Sequence, residues 1–359
     1  MHIKITEKKI LLSHEAGTQV LIPGTDVSVK IYPGKISLPK KEVFFFNILG
    51  PVQDFTILQN WDNFSLDVYG HTLRGYFRYQ IFQKQGKIML HFDRIKFPSI
   101  EGIVKSHLRK KTFVAQEKDT INLNVPCCAF IKKNEVLSLG FNKTHDITLL
   151  QKRCDMKEIL PLWFYIGSQL SLKEGKIEGN LTLLKEVETL INEKKCHLIE
   201  KAFEKIYLSS FDKMFSPKIF DDQWLAMLPI VEKIRTSKQN PLIILQKGAL
   251  LIKRLFVEYD AKILKILPCL PPSFCSGRFI GIENEDFTLN MQWAKGQIFT
   301  LILSAKRDCD LRIIFPREIK SFRLKDRKNK ERTSIIKNAR DDNFKIQMGE
   351  IYYFDRFQK

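Results

Sequence analysis

The apolar residues of this chain change their spacing twice. Phe64, Leu66 and Val68, then Phe77, Tyr79 and Ile81, then Ile88, Leu90 and Phe92 fall at every second position. That alternation belongs to strands with one buried face. From Leu184 the spacing becomes helical, through Val187, Ile191, Leu198, Ala202 and Ile206. The period of two then returns in Phe287, Leu289, Met291 and Trp293, and again in Phe299, Leu301 and Leu303. No single layer serves both periods. The expected fold is multidomain α+β: an N-terminal β-sandwich over 1–143, a short central helical bundle over 144–264 and a small C-terminal β-sandwich over 265–359.

Turn residues divide these runs. Pro23-Gly24, Pro33-Gly34 and Gly50-Pro51 separate early strands, and Lys84-Gln85-Gly86 and Lys295-Gly296 each predict a hairpin. Helices are expected at about 145–170 with an interruption at Pro161, along one face from Leu184 to Ile206, at 218–236 with Ser216 capping before Pro217, and at 241–263. The stretch "ILPCLPPSFCSGRFIGI", Ile266 to Ile282, is a stiff joint. Pro268, Pro271 and Pro272 fix φ and cannot prolong a helix, so the joint is expected to end the preceding one and aim the chain into a new sheet. Gly277 and Gly281 permit tight bends there.

The joint and the strands after it, "FTLNMQWAKGQIFTLIL", resemble the C-terminal β-domain of the inverting α-L-fucosidases of glycoside hydrolase family 95. The resemblance spans about residues 250–359 and rests on Leu267, Pro268, Leu270, Pro271, Gly277, Gly281, and the W-x-x-G formed by Trp293 and Gly296, with Gly349 in the closing strand segment. Phe274 stands where that family more often has tryptophan. The resemblance implies the order sandwich, helices, β-domain, and a carbohydrate-active ancestry. It also implies a catalytic toroid of about a dozen helices, whereas the roughly 120 residues available here hold about five helices of ordinary length. Architecture is therefore expected to be shared, and activity does not transfer.

Charge and cysteine content bound the partners. The net charge is +19. Arg317–Arg340 concentrates ten basic residues against three acidic ones, which suits either a nucleic-acid patch or the solvated edge of a hairpin. Phe322 is its only aromatic residue, so a base-stacking platform is poorly supplied. Seven cysteines, an odd number without a C-x-x-C pair, point away from a disulfide framework or a zinc site and toward a reducing, cytoplasmic setting. The N-terminal "MHIKITEKKILLSHEAG" carries no apolar signal region, and no apolar run is long enough to span a bilayer. No P-loop, G-x-G-x-x-G, G-x-S-x-G or H-E-x-x-H occurs, so neither a cofactor nor a metal is expected.

Four clusters are candidates for chemistry. Asp221 and Asp222 lie just before Trp224, which suits carboxyl chemistry beside a stacked sugar ring, although acids in a first helical turn also serve the dipole. In "YGHTLRGYFRYQ", Arg74, Tyr76 and Arg78 share strand parity and offer a polar, aromatic ligand surface, or arginine stems lying over aromatic rings. His91 and Asp93 share a face with no third metal ligand in view. Trp163, Phe164 and Tyr165 line a sugar cleft or belong to a buried interdomain helix. The leading expectation is a non-catalytic or degenerate glycosidase-like protein binding carbohydrate or another macromolecule. The alternatives are an atypical carbohydrate-active hydrolase with its site between the N-terminal domain and the helices, and a nucleic-acid-binding protein using its basic surface. The oligomeric state is open.

Overall fold

In a computed structural model of the chain, the described residues are 11–38, 43–48, 50–105, 110–127, 134–140, 150, 153–172, 176–212, 215–220, 240–328, 331–338 and 343–359. The fold is multidomain α+β with β-rich ends, as the two changes of period require.

The N-terminal module is a sandwich of two six-stranded sheets. The first runs, in spatial order, Leu11–His14, Gln53–Asn60, Ser65–Thr72, Gly75–Lys84, Lys87–Ile95 and Thr120–Pro126. Its ladder is antiparallel, with Val68 opposite Tyr79 and Ile81 opposite Leu90. Gln85 and Gly86, at φ 52° and 71°, make the tight turn with the hand that matches strand twist. The second sheet runs Lys110–Ala115, Ile100–Lys105, Val43–Phe46, Lys35–Ser37, Ser28–Tyr32 and Gln19–Leu21. Its Phe46 ring lies 5.8 Å from that of Tyr79 and 6.2 Å from that of Phe92, across the two inner faces.

Four helices occur among the described residues: α1 (Met156–Ser168), α2 (Leu181–Asn192), α3 (Cys196–Ser210) and α4 (Ile243–Phe256). Helix α1 starts where the Asp155 carboxylate accepts from the Lys157 amide at 2.9 Å, and it continues through Pro161 rather than breaking there. The single helical face expected from Leu184 to Ile206 is instead two helices. Lys194 takes φ 58°, its amide donates to the Ile191 carbonyl, and the Lys195 amide donates to the Leu190 carbonyl. That pair of bonds closes a helix with a left-handed residue just past its end. Leu198, beyond the break, is 40 % exposed and off the buried face.

Two further expectations are corrected. Helix α4 ends at Phe256, and Val257–Asp260 pairs with Ile263–Ile266 as a hairpin around Ala261 and Lys262. The proline joint therefore follows a hairpin and does not terminate a helix. Ser216 and Pro217 pair with Phe211–Asp212 as a short ladder rather than capping a helix, and residues 221–236 of the expected 218–236 helix lie outside the described residues.

The C-terminal module has a seven-stranded sheet in the order Val136–Leu139, Gly277–Glu283, Phe287–Ala294, Gln297–Ala305, Ile351–Gln358, Ser321–Lys328, Glu331–Asn338. Its first strand comes from the 1–143 segment in sequence but pairs antiparallel with Gly277–Glu283 in space. A four-stranded sheet of Val257–Asp260, Ile263–Ile266, Cys309–Ile314 and Asn343–Ile346 packs on it, with the Phe344 ring 5.8 Å from Phe354 and Tyr259 5.1 Å from Phe287.

Helix α1 joins the modules. Successive helical residues point about 100° apart, and Trp163, Phe164 and Tyr165 use that divergence. Trp163 packs on Phe203 and Phe211 at 5.7 and 4.8 Å, Phe164 on Phe279 of the C-terminal sheet at 5.0 Å, and Tyr165 on Trp61 of the N-terminal sandwich at 5.9 Å. The "WFY" triplet is thus a buried interdomain contact. Helices α1 and α4 approach closely at Gly167 and Gly248, where a Cβ would overlap the Leu245 carbonyl and the Trp163 indole respectively. The same Leu245 carbonyl accepts the Trp163 indole N–H at 3.1 Å. No helix among the described residues is long and apolar enough to cross a membrane.

Candidate functional site

The first N-terminal sheet has one face in the sandwich core and one face outward. Phe77, Tyr79 and Ile81 point inward and are fully buried, so strand parity turns Tyr76 and Arg78 outward. Arg74 sits in the two-residue turn Leu73-Arg74, outside the ladder, where its amide donates to the Thr72 hydroxyl at 3.1 Å. Arg74 is therefore at the tip of the hairpin whose face carries Tyr76 and Arg78. His71 stands opposite Tyr76, with ring centroids 5.0 Å apart.

Cross-strand register gathers charges beside these rings. Arg78 Nη2 lies 3.5 Å from Asp67 Oδ2, and Arg78 Nε lies 3.6 Å from Asp93 Oδ2. Asp67 is almost fully buried and also accepts from the Ser65 hydroxyl at 2.9 Å. Lys118 donates to Asp93 Oδ1 at 2.9 Å and to the Asp93 carbonyl at 2.8 Å. The Lys118 hydrogen bond, more than the nearby cationic charges of Lys118, Arg78 and His91, holds the Asp93 carboxyl below its ordinary pKa despite partial burial. A carboxyl so held is a poor proton donor near neutral pH, since glycosidic general acids need a raised pKa. His91 Nδ1 is 2.9 Å from the Thr120 hydroxyl, and no cluster of metal-ligating side chains occurs among the described residues. The face presents fixed acceptors, forked donors and partly exposed rings, which suits binding of a polyhydroxylated ligand.

Sequence parity alone indicated Tyr76 and Arg78. It did not place Asp67, Asp93 and Lys118 around Arg78, because that requires the register of four segments. Asp221, Asp222 and Trp224 lie outside the described residues. A shallow depression lined by Gln19, Leu21, Phe215, Asn240 and Leu242 lies where the sandwich meets the helical segment; its cavity volume is only about 20 Å³, and its described lining has no carboxylate. The Arg317–Arg340 segment forms the hairpin Ser321–Lys328 and Glu331–Asn338, which ends the seven-stranded sheet. Two of its cations are engaged internally: Arg323 makes paired bonds of 2.6 and 2.7 Å to Asp355, and Lys325 reaches the same carboxylate at 3.0 Å.

The proline joint closes on the W-x-x-G hairpin. The Trp293 indole donates to the Phe274 carbonyl at 2.8 Å, and the Gly296 amide donates to the Cys275 carbonyl at 2.7 Å. Gly277 lies under the indole with no room for a Cβ, and the Phe256 ring packs at a tilt 5.1 Å from Trp293. Lys295 and Gly296, at φ 52° and 73°, turn the hairpin. Residues 260–354 match the family model of the glycoside hydrolase family 95 C-terminal domain. The match begins in the Val257–Ile266 hairpin and ends in the Ile351–Gln358 strand, so it covers most of the C-terminal module but not the Val136–Leu139 strand. No curated protein matches the chain.

Proposed function

We propose that the protein is a non-catalytic relative of the glycosidase architecture that binds carbohydrate on the outer face of its first N-terminal sheet. The observation that supports this most is the family 95 C-terminal domain match joined to a segment whose described helices run from Met156 to Phe256. A closed ring of about a dozen helices needs about 180 residues at ordinary helix and loop lengths, and roughly 120 are present. The sheet face adds the recognition chemistry. Tyr76 and His71 offer ring surface to sugar C–H groups, Arg78 offers donors, and Asp93 offers acceptors to hydroxyls, while buried Asp67 holds Arg78 in place.

The test is calorimetric titration of the full chain with neutral, acidic and fucosylated oligosaccharides, paired with hydrolysis assays on aryl glycosides. Binding that weakens at least tenfold in Tyr76→Ala, about 1.4 kcal/mol, with hydrolysis at background, supports the reading. Hydrolysis abolished by Asp221→Asn or Asp222→Asn overturns it in favour of an enzyme. Steeply salt-dependent duplex binding that maps to 317–340 overturns it in favour of nucleic acid.

A further inference from the structure

Two thiols far apart in sequence meet where the helical segment touches the proline joint. Cys196 is the first residue of α3, directly after the turn closed by Lys194. Cys269 lies between Pro268 and Pro271 of the joint, and its amide donates to the Leu255 carbonyl near the end of α4. The two Sγ atoms are 2.8 Å apart across 73 residues of chain. That is closer than two unbonded sulfurs normally rest, and a disulfide needs only about 2.0 Å. Cys196 is half-buried and reachable, while Cys269 is buried. Burial, then the hydrogen bond and charge of Cys196, push the Cys269 thiol up to about 12, with Lys194 pulling weakly the other way. The difference in access gives the two sulfurs different roles.

We propose that Cys196 and Cys269 are a reversible thiol–disulfide pair that ties the α2–α3 turn to the proline joint. The oxidant is a small-molecule disulfide, RSSR. The Cys196 thiolate attacks one sulfur of RSSR, forming a mixed disulfide and releasing RS⁻. The Cys269 sulfur then attacks the Cys196 sulfur, its proton leaves to solvent, and the second RS⁻ departs. Two protein thiols are oxidised by two electrons and one RSSR is reduced to two RSH after protonation. The closed bond fixes the helical hairpin to the C-terminal module; a reducing dithiol reopens it. This pair is independent of what the sheet face binds.

The full chain is equilibrated at graded ratios of oxidised to reduced glutathione, quenched with N-ethylmaleimide, digested without reductant and mapped by mass spectrometry. The expected product is one linked peptide pair containing Cys196 and Cys269, two hydrogens lighter than the sum of its thiols, reversed by dithiothreitol. Exposed Cys275 is the control: it takes up glutathione as a mixed disulfide but forms no internal link. Cys196→Ser, which keeps the side-chain size and the start of α3, is expected to abolish the link and to leave Cys269 unglutathionylated. Oxidation is also expected to raise the melting temperature of wild type and not of Cys196→Ser. Alkylation of both cysteines at every glutathione ratio, or linkage of Cys196 to Cys275 or to a second molecule, overturns the proposal.

Discussion

The two β-modules bury their cores in different ways. The N-terminal sandwich closes on itself: Val29, Ile31, Phe44, Phe77, Tyr79, Leu90 and Phe92 form one cluster drawn only from its own two sheets and their connecting loops. The C-terminal sheets do not. Phe279, Met291 and Trp293 belong to a cluster that runs on through Phe256, Phe164, Trp163 and Phe203 into all four helices. The sandwich touches that body at its end, through Leu12, Leu21 and Trp61. One module is thus a unit that carries a face, and the other is a body of helices and sheets that lack separate cores. The four described helices share their buried faces with the C-terminal sheets.

The difference can be broken most strongly at Trp293. Trp293→Ala removes a fully buried indole, its bond to Phe274 and its contact with Phe256, and is expected to cost the helical and C-terminal body about 3–5 kcal/mol. Chemical denaturation followed in wild type and variant will show the loss in that transition alone, with the sandwich transition unmoved. A smaller break is Gly167→Ala. The added methyl overlaps the Leu245 backbone carbonyl, and forcing α1 and α4 apart is expected to cost about 1–3 kcal/mol despite a gain in helix propensity, again in the same transition.

The sandwich can be sharpened in the opposite direction. The Tyr79 hydroxyl is buried with no hydrogen-bond partner among the described residues, and burial pushes its pKa far up. Tyr79→Phe removes an unsatisfied polar group at constant shape, so it is expected to raise sandwich stability by about 1 kcal/mol and to leave the other transition alone. The smallest effect is shared. Asp93 in the sandwich and Asp355 in the C-terminal sheet both have pKa values lowered, chiefly by hydrogen bonds from Lys118 and Arg323 respectively. A depressed folded-state pKa gives stability that is complete above the ordinary carboxylate value near 4 and is lost as pH falls through the folded value. Both transitions should be flat from neutral pH to about 5 and weaken below about 4, and Lys118→Ala should blunt the acid loss in the sandwich only.

What the sequence revealed follows the same division. Alternation and glycine-bearing turns such as Gln85-Gly86 and Lys295-Gly296 marked the strands, because a left-handed turn residue without strain is usually glycine. Where the chain uses ordinary residues in those conformations, the signal disappears. Ala261 and Lys262 turn a hairpin at φ 46° and 66°, so Val257–Ile266 reads as more helix. Lys194 closes α2 where glycine is usual, so α2 and α3 read as one. The joint was legible as a resemblance, but its reason, the clasp of Phe274 and Cys275 on the Trp293 hairpin, exists only once the strands pair. The charged face was half legible: parity gave Tyr76 and Arg78 and, separately, His91 and Asp93, and register added Asp67 and brought Asp93 to Arg78. The capture of Val136–Leu139 by the C-terminal sheet has no local sequence cue. Its attachment is chemical as well as geometric, since the adjoining Glu135 accepts from Lys253 of α4 at 2.7 Å and from the Glu283 amide at 3.1 Å.

Native-state hydrogen exchange tests the shared core most directly. The slow amides of Met156–Ser168, Ile243–Phe256 and Phe287–Ala294 should open with one common free energy, which falls as a unit in Trp293→Ala while the amides of Gly75–Lys84 keep theirs. Helices that exchange independently of the C-terminal strands, or a sandwich that loses protection in step with them, would contradict it.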